Sequence, residues 1–111
     1  MNMECTKSDW KLFRELIPEW QEAYMERLNK EYIRLLSSEK DASEKFWALE
    51  KRIRQDKRKP GVQIELQKQE VVYDLVALIQ DKVISYEDLV GFSEGLKEAV
   101  KFLLDRGRQR K

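Results

Sequence analysis

The chain has 111 residues, which is enough for one domain with a single hydrophobic core. Charged residues make up 39% of it, yet 22 Lys and Arg against 21 Asp and Glu leave a formal net charge of only +1. The lack of His and the single Cys exclude Ser–His and Cys–His catalytic pairs and a zinc site, whereas carboxylate sites for Mg²⁺ stay open.

The sequence predicts an N-terminal segment over residues 1–7, a helical domain over 8–104 and a basic tail over 105–111. The first nine residues have no apolar core, and the longest apolar run covers only residues 75–79, so neither a secretory signal nor a membrane span is expected. Cys5 has no partner for a disulfide within the chain, which is typical of a reducing compartment. A soluble, cytoplasmic protein is therefore expected.

Residues 8–37 carry apolar side chains three or four positions apart, the spacing of one helix face. Pro18 interrupts this pattern, because proline lacks an amide donor and disfavours helical backbone at the preceding residue. We therefore predict a short helix over 8–16 and a long one over 18–37, with a single kinked helix as the alternative. The predicted buried stripe consists of Phe13, Ile17, Trp20, Tyr24, Leu28, Tyr32 and Leu35.

The next helix is predicted from Asp41 to about Arg58. Asp41 is a typical N-cap residue, and Glu44 three positions later would complete a capping box. Glu50 and Arg54 lie one turn apart and should form an ion pair. The predicted buried face of this helix consists of Ala42, Phe46, Leu49 and Ile53.

Residues 64–81 are predicted to form a helix after an extended lead-in, although residues 62–66 alternate as a short strand would. Ser85 and Asp88 suit the capping box of a short helix that ends at Gly91. Ser93 begins the last helix, which should bury Leu96, Ala99, Val100, Leu103 and Leu104. The expected fold is an all-α, compact, single-domain bundle of four to five helices.

Basic residues cluster in two places. Residues 51–59 hold six basic side chains and one acidic one, and residues 101–111 hold five and one, for net charges of +5 and +4. Because both clusters lie at or beyond a helix C-terminus, where cations complement the helix dipole, solvated helix ends are one interpretation. The other is an anion-binding surface for nucleic acid or for an acidic protein face.

Trp47 lies off the predicted core face of its helix, beside basic residues. A Trp flanked by cations could stack on a base or anchor a protein interface. The alternative is that it packs against another helix under the basic side-chain stems. The candidate contact residues are Trp47, Lys51, Arg52, Arg54, Lys57, Arg58, Lys59, Arg106, Arg108, Arg110 and Lys111.

Two acidic pairs, Glu15/Glu19 and Glu22/Glu26, have the i,i+4 spacing of carboxylate metal ligands. Di-iron bundles also need Glu-x-x-His motifs, so a solvated helix face is expected instead. The sequence predicts no catalytic residue, metal or cofactor.

Several motifs resemble a family of small proteins from gut Firmicutes. They are residues 17–22 (IPEWQE), 44–53 (EKFWALEKRI), 59–62 (KPGV), 83–89 (VISYEDL) and 92–97 (FSEGLK). Members of this family are uncharacterised, and some carry the label "multidrug transporter", which this sequence contradicts because it contains no segment able to span a membrane. The resemblance implies no catalytic residue, and by analogy with small proteins of phages and mobile elements it suits an inhibitor or adaptor.

The leading functional hypothesis is a non-enzymatic helical protein that docks on a macromolecular partner, such as an anti-CRISPR-like inhibitor of a host nucleoprotein. Direct nucleic-acid binding through residues 51–59 and 101–111 is the second hypothesis. A homodimer in which the basic end of one chain docks on an acidic face of the other is the third. An enzyme is the least expected.

Overall fold

A computed structural model describes the backbone of residues 5–109 and the side chains of residues 5–107. In this range there are four α-helices and two 3-10 helices, at Lys68–Glu70 and Tyr86–Leu89, and no β-strand. The predicted all-α single domain is confirmed. The α-helices are α1 (Lys7–Leu36), α2 (Ala42–Asp56), α3 (Val71–Gln80) and α4 (Glu94–Gln109).

α1 is one continuous helix of 30 residues, so the predicted break at Pro18 is wrong. A proline inside a helix removes one backbone hydrogen bond and costs about 3 kcal/mol. Pro18 itself is exposed, whereas Phe13 and Ile17 before it and Tyr24 and Leu28 after it are buried. Since each such side chain contributes about 1.5–3 kcal/mol on burial, the packing of an unbroken helix outweighs the lost bond.

The hydrophobic core lies between the first half of α1 and the helices α3 and α4. Its members are less than a tenth exposed, and none of them comes from α2. Leu96, Ala99 and Val100, which were predicted to be buried in the last helix, are among them. The core residues are Phe13, Ile17, Val71, Val72, Leu75, Leu78, Ile84, Leu89, Phe92, Leu96, Ala99 and Val100.

α3 begins at Val71, seven residues later than predicted. Residues 63–67 have no regular secondary structure, and the chain then forms the 3-10 helix Lys68–Glu70 before α3. Ile64 packs against the core from this irregular segment. The extended lead-in is therefore longer than expected, because the segment buries its apolar residue without becoming helical.

The connection from α3 to α4 follows the sequence closely. Ser85 and Asp88 form the predicted capping box, although the helix it begins is a 3-10 helix of four residues. Gly91 has a φ of 97°, a conformation that glycine adopts without strain. α4 extends to Gln109, so Arg106 and Arg108 belong to a helix rather than to the tail predicted from residue 105.

A buried carboxylate joins the N-termini of α1 and α4. Asp9 is 1% exposed, and its two oxygens accept hydrogen bonds from the backbone N–H of Ser93 at 2.8 Å and from the Ser93 hydroxyl at 2.7 Å. It also accepts the N–H of Thr6 at 3.1 Å, which completes the capping box of α1. Burial alone would raise the pKa of Asp9, but these hydrogen bonds hold it below its usual value.

We expect Asp9→Ala to lower the free energy of unfolding by about 2–3 kcal/mol, because hydrogen bonds to a charged group contribute about 1.5–3 kcal/mol and the Ser93 N–H loses its partner. Urea denaturation measures the loss. Asp88→Ala is the matched control, since it removes a capping carboxylate at an exposed position and should cost at most about 1 kcal/mol. Equal losses in the two variants would contradict the role given to Asp9.

Candidate functional site

α2 and the second half of α1 form a two-helix arm outside the core, here defined as residues 25–59. α2 packs against α1, and none of its side chains belongs to the core cluster. The molecule measures 53 × 33 × 21 Å and has a radius of gyration of 16.7 Å, against about 13 Å for a globule of this length. α1 alone, with 30 residues, is about 45 Å long.

The predicted buried face of α2 is wrong. Phe46 is 63% exposed, Ile53 is 43% exposed, Ala42 is exposed and Leu49 is half-buried. The buried residue of α2 is instead Asp56, which lies about 50° around the helix from the centre of the apolar stripe. α2 therefore turns a polar side toward α1 and leaves its apolar stripe largely in solvent.

A polar cluster determines which side of α2 faces α1, and we call it the clasp. It consists of Glu31, Tyr32, Arg52, Asp56 and Lys59. Asp56 is 3% exposed and accepts a hydrogen bond of 2.7 Å from the Tyr32 hydroxyl. Arg52 Nη2 lies 3.3 Å from Oδ2 of Asp56 and 2.8 Å from Oε1 of Glu31, and Lys59 Nζ lies 3.4 Å from Oδ1 of Asp56. A buried carboxylate needs such partners, because burial of an unpaired charge is costly.

The pKa values of Tyr32 and Asp56 are both shifted away from neutral pH. Burial and the hydrogen bond to Asp56 raise the pKa of Tyr32 to about 12. Burial alone would raise the pKa of Asp56, but the bond from Tyr32 and the charges of Arg52 and Lys59 hold it below its usual value. Tyr32 thus stays protonated and Asp56 ionised at neutral pH, which suits a structural pair rather than a proton-transfer pair.

The loop after α2 holds the base of the arm against α1. The side-chain amide of Gln21 donates a hydrogen bond of 3.0 Å to the carbonyl oxygen of Pro60. Gly61 lies so close to the ring of Tyr24 that a Cβ atom there would collide with it. The arm is therefore anchored at its base as well as along its length.

The six basic residues predicted as contacts in 51–59 divide into two groups. Arg52 and Lys59 belong to the clasp, and Arg54 forms the predicted ion pair with Glu50. The remaining cations are exposed and make no ion pair with any described side chain. They are Lys51, Lys57 and Arg58.

Trp47 is 63% exposed, so the alternative that it packs under another helix is wrong. Its ring contacts Phe46 edge to face, with the centroids 5.0 Å apart. On α2 it shares one side with Lys51 and Arg54, and Arg58 follows two residues after the helix ends. We call these four residues the outer face of α2.

A groove lies on the flank of α2 next to the outer face, between α2 and α1. Two adjoining hollows of about 280 and 220 Å³ share Ile53 and Lys57 as lining residues. The sequence pattern indicated these residues only as core. The groove is lined by Met25, Leu28, Asn29 and Tyr32 of α1, by Phe46, Leu49, Glu50, Ile53, Arg54 and Asp56 of α2, and by Lys57 and Val62 after α2.

The second predicted contact cluster lies at the C-terminal end of α4. Arg106 is exposed there. Arg108 lies in the last helical turn, while the predicted contacts Arg110 and Lys111 fall outside the described residues. Contact through this cluster stays a prediction.

One apolar residue at the tip of the arm, Ile33, was visible in the sequence but lay outside every predicted stripe. Ile33 is 62% exposed near the C-terminal end of α1, and Leu36, which widens the apolar stripe of α1, is exposed beside it. Ile33 is not in the stripe predicted for α1. Apolar residues outside a core stripe on both helices of a hairpin indicate surface that the hairpin itself does not bury.

The acidic residues Glu15, Glu19, Glu22 and Glu26 are exposed, as predicted. Within residues 5–109 no group of three His, Cys, Asp or Glu side chains is placed to hold a metal ion. No helix in this range is both long and apolar enough to cross a membrane.

Comparisons with protein-family models, curated proteins and solved structures find no match to this chain.

Outside the arm, Asp74 on α3 is half-buried, and its Oδ2 has no hydrogen-bond partner in the described structure. Burial, together with the charge of Glu70, raises the pKa of Asp74 to about 6. The folded state therefore holds this proton more tightly than the unfolded chain, whose Asp pKa is about 3.9. The stabilisation is present below about pH 4 and is lost as the pH rises through 6.

We expect Asp74→Asn to raise the free energy of unfolding at pH 7.5 by on the order of 1 kcal/mol, a figure reduced for partial solvent screening. The gain should disappear near pH 4, where the native carboxyl is also neutral. Urea denaturation at the two pH values measures it, with Asp81→Asn at an exposed position as the control. A gain that is equal at both pH values would contradict this assignment.

We expect Arg52→Ala to loosen α2 without affecting the core, because it removes the ion pair with Glu31 that joins α2 to α1 and takes one partner from the buried Asp56. Hydrogen exchange should accelerate at the amides of α2 and stay unchanged in α3 and α4. Lys51→Ala, on the same helix but outside the clasp, should leave both patterns unchanged. Equal acceleration in all helices would show that the clasp also supports the core.

Proposed function

We propose that this protein is a non-enzymatic docking protein that binds a macromolecular partner through the outer face of α2. The observation that supports this most directly is the exposure of Trp47 on a helix that lies outside the core. Trp is among the residues that contribute most binding energy at protein interfaces, and Arg, present here as Arg54 and Arg58, is another.

A protein surface with acidic groups fits this face better than the phosphates of nucleic acid. Three of the six basic side chains in residues 51–59 are already paired with carboxylates. They are Arg52, Arg54 and Lys59. Paired cations contribute little to the phosphate attraction that dominates nucleic-acid affinity. The exposed ring of Trp47 supplies apolar contact area that a protein partner can bury.

A host nucleoprotein is one partner that would meet these requirements, because its protein component offers such a surface. The proposal assigns no chemistry to the outer face. Its titratable side chains are Lys and Arg, and Tyr32 and Asp56 nearby are occupied in the clasp.

The test is capture of partners from a native lysate on the immobilised protein, with and without nuclease. Trp47→Ala should weaken capture by a factor of about 30, since hot-spot truncations cost about 2 kcal/mol or more. Tyr73→Ala is the matched control, because Tyr73 is an exposed aromatic residue on α3. Equal capture by the two variants would contradict docking through the outer face.

Salt dependence separates the protein partner from direct nucleic-acid binding. If capture is lost on nuclease treatment and affinity falls by nearly one log unit per log unit of salt for each phosphate contacted, the nucleic-acid hypothesis replaces this proposal. Capture that survives nuclease and falls only slightly with salt supports it.

A further inference from the structure

The groove presents apolar side chains that no other part of the described chain covers. Phe46 and Ile53 are each more than 40% exposed, and Leu49 between them is half-buried. Met25 and Tyr32 continue this surface onto α1. Two helices side by side thus share one open apolar flank, which is half of a four-helix bundle.

We propose that a second copy of this chain closes the groove, with the two arms related by a two-fold axis and the α2 helices antiparallel. A two-fold interface requires a patch that is complementary to itself. In this arrangement the centre of each α2 meets the centre of the other, so that Phe46 lies near Ile53 of the second copy. Trp47, Lys51 and Arg58 of the outer face line neither hollow of the groove, so this inference does not rest on the proposed function.

The charges along α2 favour a second copy over a foreign partner. Residues 39–45 at the N-terminal end of α2 hold three acidic and two basic side chains, for a net charge of −1, and the C-terminal end carries Lys57 and Arg58. Antiparallel pairing places the acidic end of each helix next to the basic end of the other, and it also opposes the two helix dipoles. A uniformly acidic foreign helix would complement only the basic end.

Two further features suit this pairing. The side chain of Asp41 makes no hydrogen bond at the N-cap of α2, so it is available to Lys57 of the second copy. The formal net charge of +1 means that two copies do not repel each other strongly. The pairing is therefore compatible with both local and overall electrostatics.

The area of the groove sets the expected affinity of the two copies for each other. α2 has 15 residues and is about 22 Å long, and two packed helices are about 20 Å wide. Pairing two arms then buries on the order of 1,000 Å² in total, near the lower limit of specific interfaces. We expect a dimer that dissociates on dilution through the micromolar range.

Sedimentation equilibrium from about 1 to 300 µM tests the dimer. The mass should rise from 13.4 kDa toward twice that value as concentration increases. Phe46→Glu should keep the protein monomeric over this range. Val90→Glu is the matched control: it places the same charge at an apolar site that is 79% exposed outside the arm, and should leave the dimer intact.

Circular dichroism of each variant checks that the helices persist, which is expected because α2 lies outside the core. Trp47→Ala should leave the mass unchanged, so failure of this inference and failure of the proposed function are distinguishable. A monomer at every concentration, or a dimer that Phe46→Glu does not affect, would overturn the inference.

A charge exchange tests the antiparallel order without altering the apolar residues. In the antiparallel dimer Asp41 of each copy lies next to Lys57 of the other, so this contact occurs twice. Asp41→Lys and Lys57→Glu should each weaken self-association, because either variant places two like charges together at both contacts. Mixing the two variants should restore a dimer that contains one chain of each, since both contacts then join opposite charges. If the mixture associates no better than the separate variants, the antiparallel pairing is wrong.

Discussion

The burial of the Asp56 carboxylate is the constraint on which the surface of this protein depends. An ionised group that is 3% exposed must be paired. Its partners are Tyr32 on α1, Arg52 on α2 and Lys59 just after α2. Satisfying these bonds sets the rotation of α2 on α1. The rotation in turn leaves an aromatic and basic face on one side of α2 and an apolar groove on another. A polar interaction therefore decides which apolar residues meet the solvent.

Sequence patterns predicted those elements in which local and tertiary preferences agree. The Ser85–Asp88 capping box and the buried side of α4 are examples, because their cap residues and apolar spacing indicate the same structure. The prediction failed at Pro18, where burial on both sides of the proline outweighs its local preference. It also failed at the start of α3, where Ile64 reaches the core from an irregular segment.

The candidate site was only partly predictable for a related reason. The helical spacing of α2 correctly separated Trp47 from the apolar stripe, but spacing does not say which side of a helix meets its neighbour. The Glu50–Arg54 pair was visible as an i,i+4 pair, whereas the bond from Arg52 to Glu31 joins residues 21 positions apart. Local pattern thus located the charges, and tertiary contacts determined which of them are free.

The bond between Asp9 and Ser93 joins residues 84 positions apart, whereas the arm is built from contacts between neighbouring helices. During synthesis on the ribosome, α1 and α2 emerge together and can pair while Ser93 has not yet been translated. The body of the protein must wait for α4 before the N-terminus of α1 finds its buried partner. The nascent chain thus exposes the apolar side of α1 until α4 has been translated.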